Sequence, residues 1–149
     1  MIKELAKNRK AHFEYFILDK YEAGIVLEGS EVKSVRNAGI SLSESYVKFI
    51  AGELFLINAY IKPYKNTASF APDTRKNRKL LLKKRENSQI LTKFSEKGLT
   101  IVPLRVYLKG NLIKVEISIC KGKKLYDKRA SLKERSANLE IQRASKNFK

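Results

Sequence analysis

The chain has 149 residues, enough for one domain with a single hydrophobic core. Its 43% hydrophobic content excludes a chain that is disordered throughout, and 32 Lys and Arg against 15 Asp and Glu leave a net charge of +17. A fold does not need that charge, whose self-repulsion opposes compaction, so it points to a polyanionic partner, either nucleic acid or an anionic membrane.

Residues 1–12 are polar and basic and read as an N-terminal arm. Residues 13–18 and 21–27 are rich in aromatic and branched side chains, which favour strands. Ser30 can cap a short helix over residues 30–36, with Val32 and Val35 three apart on its core side and residues 37–39 ending it. Strands follow over residues 45–50 and 53–61, joined by Ala51-Gly52, the length of a hairpin turn. Pro63 closes the second, and residues 64–78 read as a long loop. Ile90, Leu91 and Phe94 have helical spacing, with Gly98 where a C-terminal cap belongs. Residues 100–108 and 112–119 are strands around a Gly110-Asn111 turn, and Pro103 requires an edge or a bulge in the first of them. This is a mainly β chain of about six short strands with inserted short helices, which predicts a small closed or nearly closed antiparallel barrel over residues 13–120.

Residues 121–149 differ. Ten basic residues and three acidic ones give 10 − 3 = +7. Ser131 and Glu134 have capping-box spacing, but Ala130, Ala137, Ile141 and Ala144 on one helical face are too small to bury much area. A basic tail is expected here, disordered or marginally helical until a partner orders it.

The longest apolar runs, such as residues 54–57, are far below the roughly 20 residues of a spanning helix. Residues 1–7 lack the apolar stretch of a secretory signal, so a cytoplasmic protein with nucleic acid as partner is expected. One Cys, Cys120, and one His, His12, give no zinc spacing and no nucleophile–base pair; the acids are scattered, and no phosphate-binding loop is present. No enzyme activity, metal or cofactor is expected. The densest basic cluster outside the tail is Arg75, Lys76, Arg78, Lys79, Lys83, Lys84 and Arg85, interrupted by Leu80, Leu81 and Leu82. Lys33 and Arg36 share a helix face and can clamp phosphate, and Lys114 should point away from its core neighbours Ile113 and Val115. Glu22 stands in an apolar strand, where its carboxylate can accept hydrogen bonds from base amino groups or enter a local salt bridge.

Several strings in order extend this reading over nearly the whole chain. They are Asn8-Arg9-Lys10-Ala11, Glu22-Ala23-Gly24-Ile25, Gly29-Ser30-Glu31-Val32-Lys33, Ser45-Tyr46-Val47, Gly52-Glu53-Leu54-Phe55, Arg78-Lys79-Leu80-Leu81, Gly98-Leu99-Thr100-Ile101-Val102-Pro103 and Gly122-Lys123-Lys124-Leu125-Tyr126-Asp127-Lys128-Arg129. Together they resemble the small protein B family. The resemblance implies an OB-type barrel with a basic, flexible tail. The barrel would bind the tRNA-like domain of transfer-messenger RNA where a tRNA's anticodon stem would sit. The tail would enter the vacant mRNA channel of a stalled ribosome near the decoding centre, so that the nascent chain is tagged. Alanyl-tRNA synthetase and elongation factor Tu are implied as indirect partners.

By resemblance, Asn8, Arg9, Lys10, Glu22, Lys33, Arg36, Arg78, Lys79, Leu81 and Lys114 serve RNA binding. Leu81 would do so mainly by holding the surface in shape from within. Lys123, Lys124, Asp127, Lys128, Arg129, Lys133 and Arg135 match the ribosome-contacting tail. The chain departs from the family pattern twice. The family has His directly before the acidic residue of the first strand, whereas here His12 comes one place early and Phe13 precedes Glu14, leaving two rings for the decoding-centre role. The tail carries Ala144-Ser145 where the family has bulky apolar residues.

Overall fold

A computed structural model describes residues 2–64, 74–94 and 98–123. The elements run β1 (Ile2–Lys7), α1 (Ala11–Glu14), β2 (Tyr15–Ile25), α2 (Gly29–Arg36), β3 (Ile40–Ser41), β4 (Tyr46–Ile50), β5 (Glu53–Ile57), β6 (Tyr60–Ile61), β7 (Arg78–Leu81), α3 (Lys84–Phe94), β8 (Leu99–Lys109) and β9 (Leu112–Gly122). The fold is mainly β, as the strand texture predicts. The main sheet runs β1-β8-β4-β5-β7-β2-β9, and β9 also pairs with β8, so six strands close into a ring with β1 added outside it. Every pairing is antiparallel.

Local chemistry sets the register. Ala51 and Gly52 both have positive φ, the geometry of a tight hairpin turn, and Ile50 pairs with Glu53 across it. Gly110-Asn111 turns β8 into β9, with Lys109 opposite Leu112. The β8 register shifts between Pro103 and Arg105, so Pro103 sits at a bulge inside a strand that has neighbours on both sides. The inward positions fill the ring with Ala23, Val47, Leu54, Leu56, Leu80, Ile101, Val106, Val115 and Ile117. Burying each large side chain of this set stabilises the fold by roughly 1.5–3 kcal/mol. α3 adds Ile90, fully buried, and Phe94, whose ring lies 5.7 Å from that of Phe49.

Five expectations need correction. The N-terminal arm is largely strand: β1 pairs with β8 from Ile2 to Lys7, and a bulge between Glu4 and Ala6 turns Leu5 into the core. That bulge breaks the period of two by which a strand is read. Phe13 does not open a strand but lies in the single turn α1, and the two strands expected over 13–27 are one, β2, bulged between Ile17 and Asp19. The N-cap of α2 is Glu28, not Ser30; the Glu28 backbone N–H donates to Glu31 Oε1 at 3.0 Å. Residues 78–81, placed partly in a loop, form β7. Asn58, at φ 63°, divides the long strand expected over 53–61 into β5 and β6.

Candidate RNA-binding surfaces

The outer face of the ring carries one row of side chains in register. Tyr107 on β8 faces Lys114 on β9, Lys114 faces Gly24 on β2, and Gly24 faces Leu81 on β7. The alternate positions Val106, Val115, Ala23 and Leu80 point to the core, so strand periodicity puts the row outward. Gly24 keeps the middle of the row flat, since a Cβ there would lie 3.3 Å from Leu81 Cβ. Leu81 is 51% exposed, which corrects its expected place inside; the buried member of the pair is Leu80.

Glu22 lies two residues before Gly24 on the same strand face. The hydroxyl of Tyr107 donates to its Oε2, and Lys109 Nζ stands 3.4 Å from its Oε1. The Tyr107 hydrogen bond, aided by Lys109, holds the Glu22 carboxyl below the usual carboxylate range. Burial, together with the same contact to Glu22, pushes the Tyr107 hydroxyl well above the usual phenol value. Tyr107 is buried, with Arg105 over its ring at 4.6 Å, so it is a fixed donor that orients Glu22. The local-salt-bridge reading and an acceptor role coexist, because a carboxylate has acceptor sites beyond these two contacts.

α2 meets this face at its end. Arg36 Nη2 donates to the Asn111 carbonyl in the β8–β9 turn at 3.1 Å, while Lys33 is exposed with its Nζ 5.4 Å from the centroid of the Tyr64 ring. Lys79 pairs with Glu53 at 3.0 Å on the surface.

Arg78 is different. Its side chain is 1% exposed and every guanidinium nitrogen is committed inside the protein. Nε and Nη2 donate to Glu31 Oε2 at 2.9 and 2.7 Å, Nη1 to the carbonyls of Ala59 and Lys76, and Nη2 also to that of Thr74. A guanidinium so used has nothing left for a phosphate, which corrects its assignment to RNA contact. Burial pushes the Glu31 carboxyl up, but the Glu28 N–H, Arg78 and Lys76 outweigh it and hold it below the usual range. The pair fastens α2, and with it Lys33 and Arg36, to the start of β7.

At the far end of β2 a second group assembles. Asn8 is an anchor: its Nδ2 donates to the Pro103 carbonyl at 3.0 Å and its backbone N–H to that of Leu104 at 2.8 Å. This holds Arg9 and Lys10 exposed beside a groove of about 700 Å³, lined also by Lys7, Ser43 and Tyr46. Lys123 pins the root of the tail to α1, its backbone N–H donating to the Glu14 carbonyl at 2.8 Å and its Nζ to that of His12 at 2.9 Å. His12, Phe13 and Lys123 are therefore neighbours; His12 is exposed and Phe13 half-buried. Lys124, Asp127, Lys128, Arg129, Lys133 and Arg135 lie outside the described residues.

The sequence reading missed Tyr107 and Lys109. A tyrosine in a hydrophobic strand reads as core, and only the register reveals that it lies opposite Lys114. Among the described residues no group of His, Cys, Asp and Glu is arranged to hold a metal ion, and no helix is long and apolar enough to cross a membrane.

Comparison with known proteins decides the family. The SmpB protein family model matches residues 5–147. The chain belongs to the SmpB family. It is 51% identical to the SsrA-binding protein of Sulfurihydrogenibium sp. over 97% of this chain and 95% of the relative. Identity is 48% to that of Carboxydothermus hydrogenoformans, over 97% of each. A solved structure named "tmRNA-SmpB: a journey to the center of the bacterial ribosome" superposes with a TM-score of 0.66 at 44% identity, covering 80% of this chain and 84% of that one.

Proposed function

We propose that this chain is a non-enzymatic, cytoplasmic RNA-binding adaptor of trans-translation, binding transfer-messenger RNA and bringing it to stalled ribosomes. The observation that carries the reading is the row Tyr107, Lys114, Gly24 and Leu81 with Glu22 held beside it. It offers a cation, an apolar contact and an oriented acceptor on one flat face. Phosphates would meet Lys114, Lys33 and Arg36, and the Glu22 carboxylate would accept from a base amino group, so that charge gives affinity and Glu22 gives selectivity. His12, Phe13 and Lys123, with the tail beyond, would face ribosomal RNA, while Arg9 and Lys10 would add cations for transfer-messenger RNA. Alanyl-tRNA synthetase and elongation factor Tu would act on the same complex without a site on this face.

The test is a titration at physiological salt of the tRNA-like fragment against an ordinary tRNA of similar length, with the full chain and a chain ending at Lys123. Both should prefer the fragment, and only the full chain should support tagging of a stalled nascent chain. Equal binding of the two RNAs would reduce the interaction to non-specific charge and overturn the reading.

A further inference from the structure

We propose that Phe16, flanked by Lys121 and Lys123, is a stacking platform for an unpaired base of ribosomal RNA. The proposal rests on the RNA-binding reading above and adds a site that reading leaves out. Phe16 is 44% exposed on β2, and Leu18 two residues on is 53% exposed. Lys121 is the register partner of Phe16 across β9, and Lys123 Nζ lies 5.1 Å from the centroid of its ring. The nearest carboxylate along β2, Asp19, is engaged by Lys93 at 2.7 Å. An exposed ring between ammonium groups suits a single-stranded nucleic acid: the π-face accepts any base and the cations take the flanking phosphates. A protein partner would need acidic side chains to meet the same lysines.

Position argues for the source of that base. Phe16 and Glu22 are six residues apart on one strand, roughly 20 Å at strand rise. The platform therefore stands far from Glu22 along the exposed side of β2, and one molecule can hold two RNA segments at once. Lys123 also ties the platform to His12 and to the root of the tail.

The experiment uses the full chain and the variants F16A, F16L and F16Y. Binding is measured to vacant small ribosomal subunits and, separately, to the tRNA-like fragment, with thermal melting as the check on folding. F16Y should bind subunits like the parent. F16A and F16L should bind them about tenfold more weakly, equivalent to about 1.4 kcal/mol, with fragment affinity within about twofold of the parent. Parent-like subunit binding by F16L would overturn the platform. An equal loss against both RNAs by a folded variant would overturn its ribosomal assignment. If F16A melts below the assay temperature, F16L and F16Y still decide, since both keep the bulk and only Tyr keeps the ring. A failure of the adaptor reading is read from a different measurement, the parent's preference for the fragment over ordinary tRNA.

Discussion

Replacing Arg78 by Met tests whether this arginine belongs to the RNA or to the fold. The guanidinium makes two hydrogen bonds to Glu31 and three to the backbone carbonyls of Ala59, Lys76 and Thr74. Breaking a buried pair by removing one partner costs about 3–5 kcal/mol, because the other charge stays buried. Glu31 would keep the Glu28 N–H at 3.0 Å and Lys76 at 3.6 Å, which places R78M near the middle of that range, about 4 kcal/mol. E31L strands the guanidinium instead and should cost a similar amount. The double variant R78M/E31L should fall short of the sum of the two by about 2–3 kcal/mol, the coupling expected of groups in direct contact. Urea denaturation followed by circular dichroism reads all three. The pH dependence has a definite sign. The folded-state pKa of Glu31 is depressed, so its contribution is present above the ordinary value of 4.5 and is lost as pH falls through the folded value. E31L should flatten the acid limb of the stability curve. Below their midpoints, R78M molecules should bind the tRNA-like fragment within about threefold of the parent, with loss of binding following the unfolding curve. A parent-like denaturation midpoint together with lost RNA affinity would refute the reasoning and return Arg78 to the RNA.

Three further outcomes follow from the outer face. Y107F removes the donor that fixes Glu22, so the Glu22 pKa should rise towards 4.5 and fragment affinity should drop several-fold with little loss of stability; carboxyl-selective NMR titration and binding read the two effects. L81D should change stability by less than about 1 kcal/mol, since Leu81 is half exposed, while weakening fragment binding more than tenfold; a parent-like affinity would remove Leu81 from the interface. K114A should make the slope of log affinity against log salt shallower by roughly one, as for the loss of a single phosphate contact, and an unchanged slope would show that Lys114 meets no phosphate.

The strands were legible wherever the period of two was unbroken, as in β4, β5 and β9, and the hairpin turns where glycine takes a positive φ, at Gly52 and Gly110, but not at Asn58 inside an apolar run. What escaped had a physical cause in each case. A bulge hid β1 by placing Leu5 out of phase with Ile2. β7 was hidden because the first of its two inward side chains is an arginine, which reads as surface until its carboxylate partner, 47 positions away, is known. The same reasoning misplaced Leu81, since three successive leucines do not say which of them faces out. The chemistry of the Glu22 face was half legible: an acid in an apolar strand of a basic chain stood out, but its donor Tyr107 is 85 positions away and looked like core.

Charge alone does not make an adaptor. The last 29 residues hold +7 of the net +17, so 17 − 7 = +10 remains on residues 1–120. Phosphate contacts from that excess are indifferent to sequence and weaken steeply with salt. On the proposed function, discrimination would come from the few groups whose direction is fixed from below. On one face these are the Glu22 carboxylate set by Tyr107 and the flat row kept open by Gly24. On α2 they are Lys33 and Arg36, carried on a helix bolted to β7 through Glu31 and Arg78. On the proposed function the buried ion pair and the exposed Lys33 and Arg36 would belong to one device: the first makes no contact to RNA but, with Val35 in the core, fixes the helix that carries the second.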